Sequence, residues 1–538
     1  MVVGSMNTVR EICKNKNVLS YIYLTVFYTL IHGFLILNQS FFWDDWIWVL
    51  NPNEFRTALG ELGVVFFKPF FYEIFKQPIF VIRSFVFLNY FIAALFFYKS
   101  LLKIFSDNHF NILFCSLIFI AMPYNIIGRS SLCTMPYSLS FALFFMGYFS
   151  YLKFRMDHLR YMFFVSILFF TLSFNTTSIL VLYAAVMFLT EFLFFEKSKR
   201  FIKKLILLSV LIVLHTALFY VIKINFFPTS GVYATYNKLS FNLQIIYKLV
   251  ILHGPFYFFE PLIFSALGKD LVSSNVKTVM ILGSVSLYSP LLWSIYKKDL
   301  KSFLWIMAAI ILILSALFPY VIVGKQPYTY NWDSRHQLLI PMGAAVWFLI
   351  VFNFFKNIQF RTLLYSLLLI CFSFGTVRMY LSVQGLRYQD LALQRGLLQL
   401  TDVSAPASYL LLNRESSPGM MNHEWNFYEL TGMLYQKTGR QINPVILASH
   451  YGGFKDPELW VSSLGDYKAR YMLKEAQWKP PFYCIKLSEN HHMSEWQALK
   501  YLFEEYFGSD ELFNVNIEKI YKFKKNEAET KDNKPTRC

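Results

Sequence analysis

Apolar runs about as long as a bilayer is thick recur through the first two thirds of the chain, and nothing else in the sequence restricts the fold so strongly. A helix needs about 20 mostly apolar residues to cross the hydrocarbon. Such runs are read at 18–38, 78–98, 110–127, 137–154, 161–175, 177–195, 205–224, 277–296, 302–323, 338–355 and 362–382. Composition agrees: of 538 residues, 56% are hydrophobic, 20% aromatic and only 15% charged. A soluble chain of this length would divide into several domains and carry far more charge. The sequence predicts an all-α polytopic membrane protein of about 11–13 transmembrane helices.

The net charge of +17 does not point to nucleic acid, because the basic residues sit in short loops between the runs. Those loops carry Lys99 and Lys103; Lys153, Arg155 and Arg160; Lys197 to Lys204; Lys297, Lys298 and Lys301; Lys356 and Arg361. Short basic loops mark the cytoplasmic side. The N-terminus is therefore expected inside, and the lead with Arg10, Lys14 and Lys16 introduces a retained first helix. The stretch 241–268 is apolar enough to enter the membrane, yet one more crossing would place Lys297–Lys301 outside. A re-entrant or interfacial segment or a short hairpin, broken at Gly254-Pro255, is expected; two ordinary spans, giving thirteen, is the alternative. The cysteines Cys13, Cys115, Cys133, Cys371, Cys484 and Cys538 form no metal or disulfide pattern.

From about residue 383 polar residues return. "ASYLLLN" and "FYCIKLS" read as strands, "EWNFYELTGMLYQKTG" and "SEWQALKYLFEEYF" as amphipathic helices. The division expected is a membrane domain at 1–382, a small C-terminal α/β domain on the outer face at 383–523, and a charged, disordered tail at 524–538.

The unusual polar residues gather in the outer loops. "SFFWDDWIW" places Asp44 and Asp45 among aromatics just after the first run. The pair has three readings: a membrane boundary, a helix cap, or a catalytic pair whose ionisation is coupled. Next comes "NPNEFRTALGELG", where Asn51 and Pro52 start a helix that lies on the membrane surface at about 52–62. "MPYNIIGRSSLCTMPY" carries Arg129 and Tyr137, and "VGKQPYTYNWDSRHQLL" carries Lys325, Tyr328, Asp333, Arg335 and His336. The 241–268 stretch adds His253 and Glu260, and Arg83 lies about 7 Å inside the second span. Acids on one loop and Arg, Lys and His on others suit an anionic substrate, because Arg matches phosphate oxygens bidentately. His215 is expected to hydrogen-bond a neighbouring helix, and Glu191 to snorkel to the inner surface.

This arrangement resembles the GT-C superfamily of integral-membrane glycosyltransferases, in particular the bacterial polyprenyl-phosphate-sugar-dependent branch with O-antigen glucosyltransferases and lipid A aminoarabinose transferase. The residues that carry the resemblance are "WDDW" (Asp44, Asp45), "GRSSLCTMPYSLS" (128–140) and "WDSRHQLLIP" (332–341). The Trp-Trp-Asp-Tyr-Gly signature of oligosaccharyltransferases is missing, so no peptide acceptor is implied. The resemblance implies an inverting transfer of a sugar from a polyprenyl-phosphate donor to an acceptor hydroxyl on a cell-envelope glycan or glycolipid, O-antigen and lipid A among them. It implies a bacterial inner membrane with the site facing the periplasm. Asp44 or Asp45 would be the general base. Arg129, Arg335, His336, Lys325 and Arg83 would hold the carrier phosphate. Tyr137, Tyr328, His253 and Glu260 would line the substrate cavity. A divalent cation, Mg or Mn, at Asp44 and Asp45 is compatible with the acid pair and left open. The alternatives are an O-antigen-type polymerase or ligase, and a lipid-linked-sugar transporter, which would instead carry charges within its spans and an internal repeat.

Overall fold

The computed structural model of the chain describes residues 16–40, 42, 45, 52–105, 109–195, 201–231, 234, 243–267, 275–327, 332–400, 408–412, 445–447, 482–487, 493–507 and 517–523. Each of the eleven apolar runs is a helix. Among the described residues, seven helices are long and apolar enough to cross a membrane: Val18–Leu37, Ile79–Ile104, Leu132–Met156, Phe201–Phe226, Val276–Tyr296, Leu300–Val321 and Ile358–Tyr388. Shorter apolar helices cover His109–Ala121, Tyr161–Ser173, Ile179–Leu193 and Ile340–Asn353. Leu30, Leu292 and Ile370 are each exposed by more than 60% on the outside of the bundle. Apolar surface so extensive is lipid-facing surface. The chain is a multi-pass helical membrane protein.

Small residues let the helices approach. A side chain at Gly343 would meet the Ile313 backbone nitrogen at 2.7 Å, so Ile340–Asn353 packs almost backbone to backbone on Leu300–Val321. Aromatic rings fill the wider gaps, as where Phe97 stacks on Phe119 at 4.4 Å.

Side-chain contacts bring the basic loops to one end of the bundle. Lys103 pairs with Asp157 at 2.7 Å, and Phe105 packs on Trp305 at 4.6 Å. Asn111 donates to Asn353 at 2.6 Å. Glu191 does not reach out to the surface as expected. It is 3% exposed and held inside the protein by Arg155 at 2.5 and 2.7 Å and by the Tyr151 hydroxyl. His215 is bonded to Thr171 and Tyr183 on neighbouring helices at 2.7 and 3.0 Å, as its position in a span requires.

Among the described residues, several of the other connections meet at the opposite end. The helix expected at about 52–62 is present as Pro52–Glu61, with Leu59 buried. Its end is tied to the far side by the Ser230 amide on the Glu61 carbonyl at 3.0 Å. Phe66 donates its amide to Asn175, and Ser178 meets Tyr320.

Two expectations need correction. The 241–268 stretch is not broken at Gly254-Pro255. Leu243–Lys248, a π-helical turn at Leu249–His253 and Gly254–Leu267 follow without interruption. Proline removes one N–H from a helix, and the wider turn before it absorbs that loss. The rod pairs antiparallel with Val276–Tyr296, through Tyr288 on the Val250 carbonyl and Gly283 against Pro255. One rod of this length cannot hold two spans.

The second correction concerns the boundary at 382/383. The last bundle helix runs from Ile358 to Leu400 and passes straight through it. Beyond it, four short strands form one sheet in the order β2-β1-β3-β4: β1 Ser408–Leu412, β2 Val445–Leu447, β3 Phe482–Leu487 and β4 Ile517–Phe523. β1 runs parallel to β2 and β3, and β4 antiparallel to β3. The amphipathic helix Glu495–Phe507 packs on the extended part of the last bundle helix. The expected helix at 424–439 and the tail at 524–538 lie outside the described residues.

Candidate active site

The end opposite the basic loops is organised by Asp45. This carboxylate has no exposed surface. Its Oδ1 accepts the Ser131 hydroxyl at 2.8 Å and the Cys133 amide at 2.9 Å, and its Oδ2 accepts the Phe42 amide at 3.0 Å. Burial pushes the carboxyl above the usual aspartate range, and donors from Phe42, Cys133, Leu132 and Ser131 pull back toward ionisation. Asp45 therefore pins the loop after the first helix to the segment 131–133. Asp44, its neighbour, lies outside the described residues.

The 122–134 segment is itself tightly folded. The His109–Ala121 helix stops before Pro123, and Asn125 takes a left-handed conformation at φ 59°, which Asn tolerates well. That turn starts the short helix Ile126–Ser130. Its Gly128 amide donates to the Ser334 hydroxyl at 3.2 Å. A side chain on Gly128 would lie 2.9 Å from the Arg335 Cα, so only glycine lets the 332–337 turn seat here. Three motifs remote in sequence thus meet: the acid loop, "GRSSLC" and "WDSRHQ".

Arg129 points into the bundle and is 6% exposed. Its guanidinium lies over the Tyr90 ring, 4.2 Å from the centroid. Its Nη1 is 3.4 Å from both nitrogens of His32, so it lies against the imidazole face. His32 Nε2 faces the Ile120 carbonyl at 3.0 Å and must carry the proton there, leaving Nδ1 to accept from the Tyr380 hydroxyl at 2.9 Å. Arg129 Nε has no hydrogen-bond partner.

The 325–337 segment is the more open side. Asp333 and Arg335 are half-buried, and His336 is 4% exposed, packed on Tyr320 at 4.7 Å between ring centres. Burial first, then the fields of Arg335 and Lys325, hold the His336 imidazole well below its ordinary range, so it is neutral at pH 7. Burial, reinforced by Arg335 and opposed by Asp333, brings the Lys325 ammonium down to about 8. Tyr137 lies close to Tyr320 on the same side. Tyr328 lies outside the described residues.

The other expected residues are placed differently. Arg83 does not snorkel: it has no exposed surface, and its Nη2 donates to the Ser40 carbonyl at 2.7 Å. Glu260 is fully buried near Tyr124, whose hydroxyl donates to the Phe258 carbonyl. His253 lies in the π-helical turn, stacked on Tyr257, about 10 Å along the helix from Glu260. The structure thus sets Lys325, Asp333, Arg335 and His336 together, seats Gly128 on Arg335, ties Asp45 to residues 131–133 with Arg83 near it, turns Arg129 toward His32 and Tyr90, and leaves His253 apart.

The Asp45 carboxylate is engaged within the protein. Each oxygen already accepts a hydrogen, and the group is closed to solvent. Among the described residues, no three His, Cys, Asp or Glu side chains gather as a ligand set. Sequence reasoning missed His32 and Tyr380, which pack with Arg129. A histidine inside the first apolar run was the one readable signal.

No protein-family model, no curated protein and no solved structure matches the chain.

Proposed function

We propose that the protein is an inverting membrane glycosyltransferase that moves a sugar from a polyprenyl-phosphate donor to a hydroxyl of a cell-envelope glycan. The observation that supports this most is the seating of Gly128 on Ser334 and Arg335. It draws Arg129 and Arg335 to the loop that Asp45 holds, at the end away from the basic loops. A sequence that pairs two acids on one loop with arginines and a lysine on others suits a reaction that needs a base for a hydroxyl and cations for a departing phosphate.

In this reading the two aspartates divide the work. Asp45 has both oxygens engaged and positions the loop. Asp44 accepts the proton of the acceptor hydroxyl as that oxygen attacks the anomeric carbon. The bond to the carrier phosphate breaks from the opposite face, which inverts the configuration. Arg335, Lys325 and Arg129 neutralise the phosphate as it leaves, and neutral His336 contributes a hydrogen bond rather than a charge. The basic loops face the cytoplasm, the site faces the periplasm of a bacterial inner membrane, and the C-terminal sheet and helix form a small α/β domain on that same side.

The test is transfer itself. The purified protein in lipid vesicles is given labelled polyprenyl-phosphate sugars with a glycolipid acceptor. Label should move to the acceptor with release of polyprenyl phosphate. No transfer from any monosaccharide donor, with folded protein, rejects the reading.

A further inference from the structure

The docked helix Glu495–Phe507 has three sides. Ala498 and Leu502 are buried, and the Tyr501 ring lies 5.9 Å from that of Tyr388, so this side packs on the last bundle helix. Gln497 and Lys500 mark a polar side. Between the two runs an apolar stripe. Trp496, Leu499, Phe503 and Tyr506 follow at spacings of three, four and three, which aligns them along the helix. Trp496 is 76% exposed and Phe503 57%. Large apolar side chains so bare on one side of a helix call for an apolar medium to cover them.

The height of this helix along the bundle identifies the medium. The first span and the last bundle helix both begin at the basic-loop end, where Lys99 lies over Tyr21 and Arg361 reaches Asn353. They run the same way, and the bond from Tyr380 to His32 fixes their relative height. Five residues further along each helix come Gly385 and Leu37. Ala498 and Met493 pack at Gly385, 3.5 and 3.8 Å from where a side chain would start. Tyr506 donates to the Leu37 carbonyl at 2.9 Å. Both ends of the short helix are thus held level with the end of the first span, Val18–Leu37. That level is the boundary between hydrocarbon and headgroups.

The side of the bundle it docks on agrees. Leu363, Leu367, Ile370 and Phe374 are each at least 50% exposed and form the lipid-facing stripe of the last helix. Arg378, Gly385 and Tyr388 continue that stripe at helical spacing, and all three hold the short helix. Arg378 lies within the apolar span Ile358–Tyr388, and its guanidinium meets Glu495 at 2.9 Å. A cation in a span reaches for the polar boundary, and here the boundary carries a carboxylate of this helix. The helix therefore stands on the lipid side of the bundle rather than over its centre.

We infer that Glu495–Phe507 is an interfacial membrane helix. It lies at the surface of the leaflet at the Asp45 end, with Trp496, Leu499 and Phe503 sunk among lipid chains and Gln497 and Lys500 turned to water. β3 ends at Leu487 before it and β4 begins at Ile517 after it, so the helix keeps the C-terminal sheet close to the membrane. The inference is independent of the glycosyl-transfer reading.

The test puts a photoreactive benzophenone on the stripe. Phe503→p-benzoylphenylalanine and Trp496→p-benzoylphenylalanine are made in the full-length protein; both side chains are exposed, so the larger ring is accommodated. Each variant is illuminated in nanodiscs of tritiated phosphatidylcholine, and adducts are read on gels and by mass spectrometry of peptides. Phe374→p-benzoylphenylalanine is the lipid-facing reference, and Lys500→p-benzoylphenylalanine the polar one. Label at Phe503 and Trp496 should come within about threefold of that at Phe374 and exceed that at Lys500 by at least about threefold. Lipid label at either position at that level carries the inference. A crosslink to a second copy, seen at twice the chain mass, or to another peptide of the same chain would show a protein partner on the stripe and overturn it. Absence of lipid label from both positions, with Phe374 labelled, also overturns it, and equal labelling at Lys500 overturns the orientation.

Discussion

Asp45→Asn tests whether this acid is a structural pin. In the wild type, Oδ1 takes two hydrogens, from Ser131 and Cys133, and Oδ2 takes one, from Phe42. The asparagine oxygen can replace only one of these atoms. If it keeps the Oδ1 side, its NH2 group faces the Phe42 amide, donor against donor. Two charge-assisted bonds become neutral ones, each weaker by about 1 kcal/mol, and one buried amide is left unsatisfied at about 1–3 kcal/mol. Removing a buried charge gives part of this back. The net expectation is a loss of about 2–4 kcal/mol. Thermal unfolding in lipid should show it. So should the reaction of Cys133, whose backbone amide is one of the three donors, with a maleimide, read by mass spectrometry of its peptide. Asp44→Asn should leave both readouts near wild type. Unchanged unfolding and unchanged Cys133 labelling in Asp45→Asn would refute the pin, and a stable but inactive variant would return the catalytic role to Asp45.

Gly128→Ala should cost about 1–3 kcal/mol and reduce sugar transfer, because the new methyl meets the Arg335 backbone; a disulfide trap between the two segments would report their separation. Donor affinity should fall as pH rises through about 8, where Lys325 loses its proton and its charge, and Lys325→Arg should carry the plateau to higher pH. A flat KM between pH 7 and 9 in the wild type contradicts that role. Glu191→Gln, at the opposite end, leaves Arg155 with a neutral partner and should lower stability by about 1–3 kcal/mol while the folded enzyme keeps its turnover.

The bundle was legible because hydrocarbon demands long apolar runs, and the loops were assigned to sides because lysine and arginine obey a topological bias. The end of the last helix was not legible. After residue 383 "VQGLRYQDLALQRGLLQL" loses hydropathy, but it keeps helical spacing with Gln384, Arg387 and Tyr388 toward protein partners rather than lipid. Gly254-Pro255 read as a break because the sequence does not announce a π turn. Within the candidate site, the individual motifs stood out, but their contact did not. Gly128 against Arg335 links positions 207 residues apart by backbone proximity, which no local pattern encodes. Asp45 and Asp44 are adjacent and identical in type, and only the three donors around Asp45 separate a pin from a base. Arg83 was noticed as an ionisable residue in a span, yet its hydrogen bond to the Ser40 carbonyl, 43 residues away, lies beyond sequence reasoning.

The central claim is transfer from a prenyl-linked donor with Asp44 as base. The most direct measurement is a single turnover in lipid with labelled donor, comparing wild type with Asp44→Asn at matched thermal stability. The account predicts label on the acceptor with inverted configuration in the wild type, and none above background in Asp44→Asn. Transfer at an undiminished rate in Asp44→Asn, or retention of configuration in the product, would contradict it.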